Sequence, residues 1–175
     1  MVLLVVDTQK GITNERLFEF EKVKNNIKKL IDTARENGVE VIFVQHDDGP
    51  GSGFSVGDED FEIYDEFKPK DNELIFYKKV NSAFNKATGL LSYLEEKNIR
   101  QVIIVGLQTN FCIDATIKSG FEHGLEMIVP HYTNSTTDNE YMTKEACYHY
   151  YNDFMWPKRY AKCISMNDAI AMLLE

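Results

Sequence analysis

Residues 102–112 read Val-Ile-Ile-Val-Gly-Leu-Gln-Thr-Asn-Phe-Cys, and this stretch decides the fold. Val102–Val105 is β-branched and apolar at every position, so a strand built from it buries both of its alternating faces. Strands of that kind belong inside a sheet covered on both sides, which is usually parallel. A turn, Gly106–Phe111, follows the run. Cys112 then opens a helical segment that carries Ile113, Ala115, Thr116 and Phe121 and stops at Gly124. Strand, turn and helix in that order form half of a parallel crossover unit.

The same alternation recurs on both sides. Val2–Val6, Val41–Val44, Leu74–Tyr77, Met127–Val129 and Ala161–Ser165 read as further strands. Helical periodicity fills the gaps. Asn14–Asn37 sets Leu17, Phe18, Val23, Ile27, Leu30 and Ile31 on one stripe, with Gly38 as a stop. Thr88 stands where it can cap a helix holding Leu90, Leu91 and Leu94. Cys112–His123, Asn139–Asn152 and Asn167–Leu174 complete the set. Repeated strand–helix–strand order predicts a doubly wound α/β sandwich over residues 1–175, as a single domain. His46–Lys70 breaks the pattern with Gly49, Pro50, Gly51, Gly53, Gly57 and many acids. It reads as a long loop of the kind used for binding or as a lid.

Composition narrows the function classes. The chain has 175 residues, 43% of them hydrophobic, which is enough for a real core. Lys and Arg total 19 against 28 Asp and Glu, a net charge of −9 that repels phosphate, so neither nucleic acid nor an anionic membrane is expected as a partner. Val2–Val6 is stopped by Asp7, far short of the ~20 apolar residues of a membrane span. It also lacks the basic flank and cleavage site of a signal peptide. The three cysteines, Cys112, Cys147 and Cys163, are an odd set without paired spacing. A disulfide framework is therefore not expected, and the expected compartment is the cytoplasm.

In open parallel sheets, ligands bind beyond the carboxyl ends of the strands. Asp7 follows the first strand, Lys78 the third, and Cys112 the turn after the fourth. An acid, an amine and a thiol thus share one rim. Each alone has an ordinary alternative. Asp7 can close a turn, Lys78 can be solvated, and Cys112 can be a small buried apolar residue. A helix N-terminus stabilises a thiolate by ~0.3–1 kcal/mol, up to ~2 when partly buried, about one pKa unit. That alone does not ionise a thiol near ~8.5 at pH 7, so Lys78 as a cation or Asp7 as a base is expected to supply the rest. Backbone N–H groups there can also hold an oxyanion, at ~3–4 kcal/mol per donor. His46 follows the second strand on the same rim and is a candidate for orienting substrate. Phe54, Phe84 and Trp156 are candidates for an apolar wall, with core packing as the alternative for each. The aromatic stretch Tyr148, Tyr150, Tyr151, Phe154 and Trp156 suits a subunit interface or a cover for the sheet. Gly49–Phe54 lacks the G-K-[ST] of a phosphate loop and reads as flexible loop.

Three motifs carry a resemblance to a known family. Val6-Asp7-Thr8-Gln9 resembles a D-x-Q signature, Lys78–Phe84 a K-x3-S-A-F segment, and Gly106–Cys112 a G-V-x-T-N-x-C turn. Ser135–Asn139 has the same flavour. Together they resemble the isochorismatase-like cysteine hydrolases, which include nicotinamidases and N-carbamoylsarcosine amidases. The resemblance spans nearly the whole chain in order and spacing. It implies a three-layer α/β/α, Rossmann-like fold with a six-stranded, mainly parallel sheet. It also implies a Cys–Asp–Lys triad that hydrolyses amide-type C–N bonds through a thioester. By that resemblance Cys112 is the nucleophile, Asp7 moves its proton and Lys78 keeps Asp7 ionised. The N–H groups of Gln108 and Cys112 form the oxyanion hole, and the Leu107–Gln108 peptide is cis. Gln9 joins His46, Phe54, Phe84 and Trp156 as a pocket candidate.

Two departures shape the expectation. Gln45-His46-Asp47-Asp48-Gly49 lacks the Asp-x-His pair with which nicotinamidases hold a metal. Nor do His46, His123, His131 and His149 form a ligand pair. No metal and no cofactor are therefore expected. The presence of Cys112 favours amide chemistry over vinyl-ether (isochorismate-type) hydrolysis. The reading is a metal-independent cysteine hydrolase of a small amide, ureido or carbamoyl compound, working as a homodimer or larger homo-oligomer. The alternatives are a non-catalytic ligand-binding or assembly protein, or vinyl-ether hydrolysis. A thiol redox enzyme is disfavoured by the lack of C-x-x-C.

Overall fold

The all-apolar runs become the middle of a sheet. A computed structural model describes residues 1–175. Its elements are, in chain order, β1 (Val2–Val6), α1 (Phe20–Glu36), β2 (Glu40–His46), β3 (Leu74–Lys78), α2 (Leu90–Glu96), β4 (Gln101–Leu107), α3 (Asp114–Glu122), β5 (Glu126–Pro130), β6 (Asn134–Ser135), α4 (Lys144–His149), β7 (Lys162–Ile164) and α5 (Met166–Leu173). The strands lie in the order β3-β2-β1-β4-β5-β7, with β6 paired to the end of β4, and every pairing is parallel. The chain winds outward from β1 to β3, then returns to β4 on the other side of β1. The order therefore reverses between β1 and β4, and the crevice beyond their carboxyl ends is where such folds bind ligands.

Alternation along the strands builds two cores. Leu3, Val5, Phe43, Ile103 and Val105 face α1 and α5, in a cluster of 16 buried residues. Leu4, Val6, Ile42 and Ile104 face α2 and α3, in a cluster of 18. Each large apolar side chain so buried contributes ~1.5–3 kcal/mol. No helix is long and apolar enough to cross a membrane.

Several boundaries differ from the sequence reading, each for a local reason. The sheet has seven strands, not six, because β6 is a polar pair of two residues with no apolar signal. α1 starts at Phe20, not Asn14, since Glu19 turns left-handed at φ 50°. Thr88 is not the N-cap of α2, which is Gly89 at φ 74°; its hydroxyl faces the carbonyls of Ala83 and Asn85, and its oxygen accepts only a long contact, 3.5 Å, from the Leu90 N–H. Cys112 does not open α3. Thr109–Ile113 forms a π-helical turn and α3 begins at Asp114. The Asn139–Asn152 segment splits into α4, capped by Thr143, and a π-helical turn over Tyr150–Met155. The long loop is sewn to the rim. Gln9 bridges to Ile63, the Gln45 amide donates to the Phe61 carbonyl at 2.8 Å, and Tyr64 N–H donates to the Thr8 carbonyl at 2.8 Å.

Candidate active site

The switch point is tight because Gly106 lies directly opposite Val6. Gly106 has φ +126°, and a Cβ there would sit 2.0 Å from the Val6 carbonyl oxygen. Glycine lets β4 approach β1 closely enough for its turn to meet Asp7, itself at φ 50°. Beyond Gly106 the Leu107–Gln108 peptide is cis. The turn is held from behind by buried polar side chains. Thr109 Oγ1 donates to Asn134 Oδ1 at 2.7 Å, the Asn134 amide donates to Asn152 Oδ1 at 2.9 Å, and Thr136 Oγ1 donates to Asn110 Oδ1 at 2.6 Å.

Asp7, Lys78 and Cys112 come together at this rim. Lys78 Nζ donates to Asp7 Oδ2 at 2.7 Å, to Cys112 Sγ at 3.2 Å and to His46 Nδ1 at 3.1 Å. The side chains of Lys78 and Asp7 are 0% and 1% exposed. Asp7 Oδ1 is buried and has no hydrogen-bond partner. A buried orphan of this kind points to work rather than stability. Burial pushes the Asp7 carboxyl above the usual carboxylate range, although Lys78 pulls the other way. The same two effects act on sulfur. Burial and the charge of Asp7 push the Cys112 thiol up to about 12, with Lys78 opposing. This corrects the expectation of a thiol lowered by a helix N-terminus: desolvation outweighs the dipole, and Cys112 stands four residues into the Thr109–Ile113 turn. The sulfur therefore rests as a thiol beside a carboxylate made more basic by the same burial.

A cavity of about 300 Å³ opens over these groups, lined by Asp7, Ile12, His46, Asp48, Phe54, Asn81, Gln108, Phe111 and Cys112. Of the pocket candidates, His46 and Phe54 line it and Gln9, Phe84 and Trp156 do not. Phe84 and Trp156, 2% and 0% exposed, pack into the core beneath Cys112. Trp156 there spends its indole N–H on Asp114 at 2.9 Å. Gln9 lies under the rim, exchanging hydrogen bonds with the His46 backbone. Asp48, Asn81, Ile12 and Phe111 were missed. The only signal for Asn81 was its place inside the Lys78–Phe84 segment, and the cavity wall at Phe111 was hidden by its reading as a turn residue. Another cavity of about 310 Å³ sits at the opposite, amino ends of β2 and β3, around Arg35 and Glu73, and holds no nucleophile.

Asp7, His46 and Cys112 also present metal-ligand atoms within 4.8 Å of one another. Lys78 Nζ lies within hydrogen-bond reach of all three.

Comparison with known proteins agrees with this arrangement. The chain is 37% identical over 127 residues to the isochorismatase family protein YrdC of Bacillus subtilis, covering 71% of this chain and 67% of that one. It is 28% identical over 157 residues to the ureidoacrylate amidohydrolase RutB of Acinetobacter baylyi, covering 68% and 64%. A crystal structure described as an isochorismatase family protein superposes with a TM-score of 0.85 at 26% identity, covering 94% of this chain and 97% of that one. The pattern of the Isochorismatase domain matches residues 1–165. Sequence and scaffold thus lead to one conclusion: the chain belongs to the isochorismatase family of hydrolases.

Proposed function

We propose that this hydrolase is a metal-independent cysteine amidohydrolase, cleaving the C–N bond of a small amide, ureido or carbamoyl compound through a thioester on Cys112. The observation that carries the reading is the unpartnered Asp7 Oδ1 beside a protonated sulfur, while Asp7 Oδ2 is anchored on Lys78. The relative RutB acts, by its name, on ureidoacrylate.

The chemistry follows from those positions. As a carbonyl carbon approaches, Asp7 takes the thiol proton and Sγ attacks. The carbonyl oxygen gains negative charge, which the N–H groups of Gln108 and Cys112 are assigned to hold. Collapse breaks the C–N bond, and Asp7 returns the proton to the leaving nitrogen. Water then attacks the thioester, giving its proton to Asp7, and the acid departs as sulfur regains the proton. Lys78 keeps Asp7 oriented and offsets the negative charge passing between oxygen and sulfur. His46 and Phe54 bound the substrate side of the cavity. The same reading makes the enzyme cytoplasmic, where its three free cysteines stay reduced. It works as a homodimer or larger homo-oligomer on a small molecule, without nucleic acid.

Intact-protein mass spectrometry after incubation with a panel of amides and ureides tests this. The expected result is an acyl mass adduct that maps to Cys112, together with complete loss of adduct and turnover in Cys112→Ala. Turnover that persists in Cys112→Ala refutes covalent catalysis.

A further inference from the structure

Lys78 has three ammonium hydrogens, and two go to Asp7 Oδ2 and Cys112 Sγ. The third points to His46 Nδ1 at 3.1 Å. An ammonium has no lone pair, so Nδ1 must be the acceptor and the ring proton must sit on Nε2. That Nε2–H meets Asp48 Oδ1 at 2.9 Å. The sense of the chain is thereby fixed: Lys78 donates to His46, and His46 donates to Asp48. The backbone of His46 is locked on both sides, its N–H donating to Gln9 Oε1 at 2.8 Å and its carbonyl accepting from Gln9 Nε2 at 2.9 Å. Asp48 is tied in turn by its N–H to the Phe54 carbonyl at 3.0 Å. The chain runs from Asp48, 55% exposed at the cavity mouth, through His46 at 19%, to an ammonium with no exposure at all.

We propose that Asp48 and His46 are a positioning pair for Lys78: they occupy its third N–H and aim the ammonium at Asp7 and Cys112 together. The proposal rests on Cys112 being the nucleophile and adds two residues that touch no reacting atom. His46 is not placed to act as a base itself, because Nδ1 is taken by Lys78 and Nε2 carries a proton. The charged or titratable groups around the pair are Lys78 from β3, Asp7 from β1, Cys112 from the turn after β4, and Asp47 from the end of β2. Without the Nδ1 acceptor, one N–H of the buried Lys78 ammonium is left unpaired. The ammonium is then free to swing off Cys112 Sγ, and the sulfur loses the positive charge it faces at 3.2 Å.

The test needs no knowledge of the substrate. Iodoacetamide alkylation of Cys112 is timed at neutral pH in the full chain by peptide mass spectrometry, with Cys147 and Cys163 as internal references. His46→Phe is expected to slow alkylation of Cys112 about tenfold relative to those references. His46→Asn, whose Oδ1 can stand near the Nδ1 position, is expected to restore the rate to within about threefold. Asp48→Ala, at an exposed position, is expected to slow alkylation as His46→Phe does, and it carries the test if His46→Phe fails to fold. An unchanged rate in folded His46→Phe or Asp48→Ala overturns the proposal, as does His46→Asn being as slow as His46→Phe. If wild-type Cys112 reacts no faster than Cys147, the nucleophile reading falls first, and this one with it.

Discussion

At the scale of single residues, Gly106 is the glycine with the least room for a side chain. A methyl group there meets the Val6 carbonyl oxygen at 2.0 Å, in a backbone conformation at φ +126° that L side chains rarely adopt. Neither strand can yield without moving Asp7 or the turn of Cys112. Gly106→Ala is expected to cost at least ~3 kcal/mol. Thermal unfolding would read this as a fall of roughly 6–12 °C at this chain length. A melting temperature within 2 °C of wild type would show that the close approach is not needed. Asp7, Lys78 and Cys112 were legible as one cluster because strand-end position is written in the sequence: each follows an apolar run whose direction the parallel sheet fixes. Phe84 and Trp156 were not, because an aromatic side chain looks the same in sequence whether it walls a cavity or fills a core. Asp48 was hidden for another reason. It sits in an acid-rich loop, and only folding singles it out by setting it against His46.

At the scale of elements, one ion pair ties the end of α1 to the start of β3. Arg35 grips Glu73 with two hydrogen bonds of 2.8 Å, and Glu73 is 8% exposed. Burial works to raise the Glu73 carboxyl, but the Arg35 guanidinium and the Lys70 N–H outweigh it and hold it below the usual carboxylate range. A carboxyl lowered in the folded state stabilises above its unfolded pKa, here 4.5, and that stability is lost as pH falls through the folded value. Glu73→Gln is therefore expected to lower stability at pH 7 by about 1–2 kcal/mol, allowing for partial exposure. The difference from wild type should shrink steadily below pH ~4. Equal urea midpoints for the two proteins at pH 7 would contradict it. The elements themselves were legible where burial was two-sided. β1 and β4 read directly from their apolar runs, while β6 did not, since Asn134 and Ser135 are polar residues recruited by the rim. The start of α1 was misread because Leu17 keeps the helical spacing and is buried, though it lies ahead of the break at Glu19.

At the scale of the whole molecule, charge bears on which amides the proposed enzyme is expected to take. The chain carries −9, and the cavity wall includes Asp7, Asp48 and His46 with no arginine or lysine among its lining residues. The one lysine beneath it, Lys78, has all its hydrogens engaged. A substrate carboxylate entering this cavity finds no free cation. Neutral or cationic amides are expected to surpass matched anionic ones in kcat/KM by about tenfold at low salt, with the gap narrowing as ionic strength rises. A clear preference for anionic amides at low salt would contradict this reading of the wall.

The stitches that bind the long loop to its neighbours bear on how such an enzyme changes over time. With Gln45 holding Phe61, Tyr64 holding Thr8 and Gln9 bridging Ile63, the far part of the loop is nailed to the sill of the cavity. On the function proposed above, a new preference can arise by exchanging Ile12, Phe54, Asn81 or Phe111 on the jamb while Asp7, Lys78 and Cys112 below stay untouched.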